Sequence, residues 1–121
     1  MTHPVSRNTQ KAYKWSDGGV GWPLVEAGGF LVIEETLAPG CGEKHHYHNQ
    51  AEQCFYMLAG CAVMQLADGQ HVEIDTGMAI NITPKTIHAI VNQTDKEIRF
   101  LVMSAPSSRA VSYTHLRAHE T

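Results

Sequence analysis

The chain has 121 residues, enough for one domain around one hydrophobic core and too few for two ordinary ones. A hydrophobic share of 43% and a charged share of 17% exclude a disordered or fibrous chain and describe a soluble globular one. A formal net charge of −3 leaves no basic footprint, which argues against nucleic acid or an anionic membrane as partner.

Residues 1–22 carry little hydrophobic periodicity, and "SDGGVGWP" (16–23) has the glycines and proline of a loop. Segment 1–29 reads as an N-terminal extension. It is either an edge strand or an arm reaching a second copy, with Trp15 and Trp22 available to cover a sheet edge. It holds no apolar run of the length a secretory signal needs, and no stretch of the chain reaches the roughly 20 apolar residues of a membrane span. "GFLVIEETLAPG" predicts a strand over 30–37, stopped by Pro39 and Gly40. "QCFYMLAG" predicts a second, ending at Gly60. "CAVMQLADGQHVEI" holds two short apolar runs about Asp68 and Gly69, a hairpin signal because both residues tolerate positive φ. "GMAINITP" and "IHAIVN" predict two further short strands, and "EIRFLVMS" the last, after the turn "NQTD". Short strands separated by a turn about every eight to twelve residues predict an all-β sandwich or barrel.

The three cysteines, Cys41, Cys54 and Cys61, are odd in number and match no zinc-ribbon spacing. They are expected to be small apolar packing residues, with the reduced thiols of a cytosolic protein. The final stretch, "VSYTHLRAHET" (111–121), resembles the translation of a transposon-type sequencing adapter, matching at all eleven positions in one reading frame. It is read as an artefactual tail that carries no information about the native fold, and the helical-spaced pair His115 and His119 goes with it. Residues 105–110 are then a C-terminal stub.

Chemistry concentrates in "HHYHNQAEQCFYMLAG" (45–60). On a strand, side chains alternate between faces, so His46 and His48 point one way, and His45 and Tyr47 the other. Two imidazoles at i and i+2 can hold one metal ion. A third candidate is His88, on a different strand, and a fourth is an oxygen donor from "AEQCF", either Glu52 or Gln53. Three imidazoles and one oxygen suit a single divalent transition metal (Zn, Mn, Fe, Ni or Cu), with room left for water or substrate.

With these residues in place the chain resembles the cupin superfamily. The first cupin motif runs glycine, five residues, H-x-H, three or four residues, glutamate, six residues, glycine. Gly40, His46, His48 and Gly60 fit it. The second runs glycine, five residues, P-x-G, two residues, histidine, three residues, asparagine. Gly77, His88 and Asn92 fit it, although Thr83 replaces the proline, Pro84 falls one place late and Lys85 replaces the glycine. The resemblance implies a jelly-roll β-barrel of two antiparallel sheets over 30–104, with a metal inside one open end. It also implies a homodimer. Six residues separate Gln53 from Gly60, so the motif count favours Gln53 as the fourth ligand and makes Glu52 the alternative.

An amide with three neutral imidazoles leaves a divalent centre at its full charge, whereas a carboxylate removes one unit. The more positive centre is the stronger Lewis acid, and it departs from the two-histidine, one-carboxylate set of many iron oxygenases. The expected function is therefore a metal-dependent isomerase or tautomerase acting on a small polar metabolite, sugar or sugar-acid derived, through a stabilised enediolate. The alternatives are a non-catalytic small-molecule-binding module and a metal-dependent dioxygenase. By residue type, Tyr47, Glu52, Tyr56 and Lys85 are the candidates for moving the proton.

Overall fold

The computed structural model describes residues 2–107 and the backbone of Thr114–His115. Positions 108–110 of the expected stub, and the rest of the adapter-like segment 111–121, lie outside the described residues. Apart from one 3-10 turn at Ala67–Gly69, every regular element described is a β-strand. In chain order these are β1 (Tyr13–Ser16), β2 (Gly19–Glu26), β3 (Leu31–Leu37), β4 (His46–Tyr47), β5 (Glu52–Ala59), β6 (Ala62–Leu66), β7 (His71–Ile74), β8 (Ala79–Ile82), β9 (His88–Val91), β10 (Ile98–Ala105) and β11 (Thr114–His115). They form two antiparallel sheets, ordered β1-β2-β3-β10-β5-β8 and β11-β4-β9-β6-β7, that close as a jelly roll.

The two-residue period of the strands decides what goes inside. Along β10, Ile98, Phe100, Val102 and Ser104 are buried while the residues between them are not. Along β5, Gln53, Phe55 and Met57 are buried while Glu52 and Tyr56 are exposed. Leu37, Met64, Ile74, Ile90 and Ile98 complete an apolar centre with Phe55, Met57 and Phe100. Each such side chain contributes about 1.5–3 kcal/mol on burial. The predicted hairpin forms, with Asp68 at φ 65° and Gly69 at φ 75°. Cys41, Cys54 and Cys61 are free thiols, all half-buried, and Cys41 packs on the core. Among the described residues no helix is long and apolar enough to cross a membrane.

The loop expected over 16–23 is instead a hairpin. Gly18, at φ 74°, makes the turn, and β2 then runs through the glycines to pair with β3 along its length. Glycine reads locally as a strand breaker, but here its missing side chain is what the packing uses. A Cβ on Gly19 would meet the Trp15 ring at 2.6 Å, and one on Gly21 would meet the Tyr13 ring at 3.0 Å. The two bare positions share a face of β2, and two aromatic rings from β1 lie across them. Pro23 sits where the register slips between Pro23 and Val25, a place where a missing ladder N–H is tolerated.

Asn92 closes the turn before β10. Its amide Nδ2 donates to the carbonyls of Leu37 (3.0 Å) and Lys96 (2.7 Å), and its Oδ1 accepts from the N–H (2.9 Å) and hydroxyl (2.6 Å) of Thr94. The side chain is fully buried, so its removal leaves buried carbonyls without donors. We expect Asn92→Ala to lower unfolding free energy by about 3 kcal/mol in urea titrations, with metal binding by the remaining folded protein retained.

Candidate metal centre and its cavity

The register of the smaller sheet places His46 directly opposite His88. The larger sheet places Gln53 opposite Ser104 on its inner face. His48 follows β4 at the same parity as His46, and all three imidazoles are buried. Their ring centroids lie 4.5 Å (His46–His88), 5.1 Å (His46–His48) and 5.9 Å (His48–His88) apart. One nitrogen from each falls within 4.8 Å of the others, close enough to share one metal ion. The Gln53 side chain reaches the same point, with its Oε1 3.2 Å from His88 Nε2. Glu52 is exposed on the opposite face, where its carboxylate accepts from Asn81 Nδ2. His3, His45 and His71 are exposed and do not belong to the cluster.

Hydrogen bonds fix how two of the rings face inward. His46 Nδ1 lies 2.8 Å from the Lys44 carbonyl, and His88 Nδ1 lies 2.8 Å from the Thr86 carbonyl. A carbonyl oxygen only accepts, so in each ring Nδ1 carries the proton and Nε2 turns a lone pair toward the cluster. Burial lowers the pKa of both. For His88 it falls to about 3, through burial first and the neighbouring His46 second, against the opposing Thr86 bond. A neutral His88 therefore sets its lone pair against the Gln53 carbonyl oxygen, with no proton between the two acceptors. Gln53 Nε2 donates to Ser104 Oγ at 3.0 Å, which holds the amide in this orientation. Rotated by half a turn the amide would donate to His88, so the orientation seen is the one that offers oxygen to a cation. Three imidazoles and an amide oxygen around one point fit a divalent transition metal.

The cluster opens onto a cavity of about 770 Å³. Tyr13 and Trp15 form one wall of it, and besides the solvent-exposed Asp17 two carboxyl groups, Glu35 and Glu43, join His46, His48 and Gln53 in its lining. Glu35 is buried on β3, and its pKa is pushed well above the ordinary carboxylate value, first by burial and then by the charge of Glu43. Glu43 lies in the loop before β4. Burial raises its pKa to about 8, opposed by the Ile90 N–H, which donates to Oε1 at 3.0 Å.

The four proton carriers expected from sequence are elsewhere. Tyr47, Glu52, Tyr56 and Lys85 do not line this cavity. Glu52 and Tyr56 have the outward parity of β5, and Lys85 is exposed in a turn, at φ 67°. Glu35 and Glu43 were missed by sequence reasoning. The available signal was "IEETL", which puts an acid at the inward parity of an otherwise apolar strand, two places from both Ile33 and Leu37.

The raised pKa of Glu43 has a stability consequence of definite sign. The folded chain keeps this proton up to about pH 8, while an unfolded one releases it near 4.5. The stability it contributes is fully present below the unfolded value and is lost as pH rises through the folded one. We expect urea midpoints of Glu43→Gln to fall less than those of the wild type between about pH 5 and about pH 9.

Comparison with known proteins adds the family. The cupin domain family matches residues 33–104. An uncharacterized protein of Methanocaldococcus jannaschii, MJ1618, is 31% identical over 101 residues, covering 79% of this chain and 80% of that protein. The polyketide cyclase RemF from Streptomyces resistomycificus superposes with a TM-score of 0.81 at 25% identity, covering 98% of this chain and 89% of the cyclase. A sugar phosphate isomerase of the cupin superfamily, SPO2919 from Silicibacter pomeroyi, superposes with a TM-score of 0.78 at 18% identity, covering 98% and 99% of the two chains. The two-sheet barrel, the buried histidine cluster inside it and the match to residues 33–104 together make this chain a member of the cupin family.

Proposed function

We propose that the protein is a metal-dependent isomerase or tautomerase of a small polar metabolite, sugar or sugar-acid derived. The observation that carries this reading is the meeting of the His88 lone pair with the Gln53 amide oxygen, next to the nitrogens of His46 and His48. Held by His46, His48, His88 and Gln53, a divalent ion (Zn, Mn, Fe, Ni or Cu) would supply a Lewis acid for a substrate carbonyl. The chain's own groups do the rest. The Lys44 and Thr86 carbonyls orient two imidazoles, and Ser104 orients the amide. All four donors are neutral, so none of the ion's charge is cancelled. That favours polarising a carbonyl over the carboxylate-ligated oxygen chemistry of many iron enzymes. Glu35 and Glu43 in the cavity lining supply proton donors and acceptors that a purely structural ion would not need. The resemblance to a sugar phosphate isomerase is one of fold and agrees with this reading.

A homodimer completes the proposal. On the outer face of the larger sheet, Met103 stands beside Val32 and Cys54, and Leu101 beside Tyr56. Phe30, 49% exposed, extends the same apolar surface and joins Cys54 and Met103 around a shallow hollow. A second copy of this face is the partner whose shape and chemistry would cover it.

The metal reading is tested by mass-spectrometric metal content of the untagged full chain after reconstitution. We expect near-stoichiometric metal in the wild type and in Glu52→Ala, and an affinity at least about 10-fold weaker in Gln53→Ala. Loss in Glu52→Ala instead would move the ligand by one position, and a wild type without metal would end the metalloenzyme reading. For assembly, light scattering should give a dimer that Tyr56→Asp combined with Met103→Glu converts to a monomer with its metal content intact. A monomeric wild type would remove the dimer.

A further inference from the structure

Glu35 and Glu43 lie outside the histidine cluster, yet both line the cavity onto which it opens, from separate elements. Burying a carboxylate is costly unless a cation pairs with it. Neither group makes an ion pair among the described residues, whereas Glu34, its neighbour on the outer face of β3, is paired with Arg7 and Arg99.

The charges around the two acids are disposed so that no buried cation relieves them. From β1 and its turn come Lys14 and Asp17, which pair with each other at 3.6 Å and are both largely exposed. Tyr13 is an uncharged phenol in the same wall. Lys44, from the loop of Glu43, is exposed. From the β4 side come His46 and His48, and from β5 and β10 the neutral Gln53 and Ser104. Two neighbouring carboxyl groups that line one cavity and make no ion pair do not readily ionise together. The backbone N–H of Ile90 donates to Glu43 and favours its charged form, while no donor among the described residues does the same for the buried Glu35. The asymmetry assigns an order: Glu43 is the first of the two to give up its proton, and Glu35 remains the carboxylic acid.

We propose that Glu43 and Glu35 are the base and acid of this cavity, acting on α-hydroxycarbonyl substrates bound against His46, His48 and His88. The inference rests on the isomerase reading above. Glu43 takes the proton from the hydroxyl-bearing carbon. The electrons of that C–H bond become the C=C bond of an enediol, and the carbonyl π pair moves to its oxygen, which takes the proton of Glu35. Return of a proton to the former carbonyl carbon, with release of the original hydroxyl proton, gives the isomer. Each carboxyl regains its starting state, and no oxidant, reductant or other reactant is consumed.

Two measurements test this. In the metal-free full chain labelled with ¹³C at the glutamate carboxyls, NMR titration should show Glu35 moving toward the ordinary carboxylate range in Glu43→Gln, because the neighbouring charge is gone. An unchanged Glu35 titration overturns the pairing. In the metal-loaded chain in D₂O, the wild type should exchange carbon-bound hydrogen of dihydroxyacetone or 2-hydroxyacetophenone for deuterium. Glu43→Gln and Glu35→Gln should each slow this at least about 100-fold with unchanged metal content. A loaded wild type that exchanges neither probe, or variants that keep the wild-type rate, overturn the proposal. Absence of metal in the same wild-type samples is a failure of the metalloenzyme reading instead, and the carboxyl titration then decides by itself whether the two acids act as a pair.

Discussion

Lone pairs brought together with no proton or cation among them repel, and this barrel brings several to one point. His46 and His88 are set opposite each other by sheet register, and Gln53 is delivered from the facing sheet beside Ser104. Backbone carbonyls hold the protons of two imidazoles on their far sides. The cost of holding such groups together falls on the rest of the fold. A line of aromatic contacts carries it: His88 against Phe55 at 5.9 Å, Phe55 against Phe100 at 6.2 Å, and Phe100 against Trp15 at 6.3 Å. The packing that stabilises the barrel is thus the packing that orients the cluster, and the same line ends at the cavity wall.

Much of the cluster was legible because strand periodicity is a hard constraint. His46 and His48 had to share a face, and their burial beside an exposed His45 follows from that. The count back from Gly60 pointed to Gln53, which parity alone could not have chosen over Glu52, and along β5 it is Gln53 that is buried and Glu52 that is exposed. What stayed hidden depended on contacts distant in sequence. Gly19 and Gly21 look like breakers until Trp15 and Tyr13 are seen lying on them. Glu43 sits in a loop, and nothing local distinguishes it from a solvated charge. Its environment is created by Glu35 and by Ile90, eight and forty-seven residues away. The departure at Lys85 proved compatible with the turn. Lysine takes the left-handed backbone conformation that favours glycine, and its N–H still donates to the His48 carbonyl at 2.7 Å.

The cavity divides its electrostatics between two walls. One presents uncharged lone-pair donors, so it attracts cations without neutralising them. The other presents acids that burial keeps from ionising together. The separation matters, because a carboxylate among the histidines would lower the charge felt by a bound carbonyl. A carboxylate kept to the side leaves that charge intact and remains available for protons.

The aromatic wall has a mechanical consequence. Tyr13 and Trp15 belong to β1, the outermost strand of the larger sheet, which is hydrogen-bonded on one side only, to β2. Its rings rest on the bare glycine faces of that neighbour, and Trp15 also meets the Phe100 ring edge-on. Local opening is cheapest where the fewest ladder bonds must break, and β1 meets that condition while β3, β10 and β5 do not. Of the strands of the larger sheet that line the cavity, this four-residue edge is therefore the one whose opening would break the fewest ladder bonds.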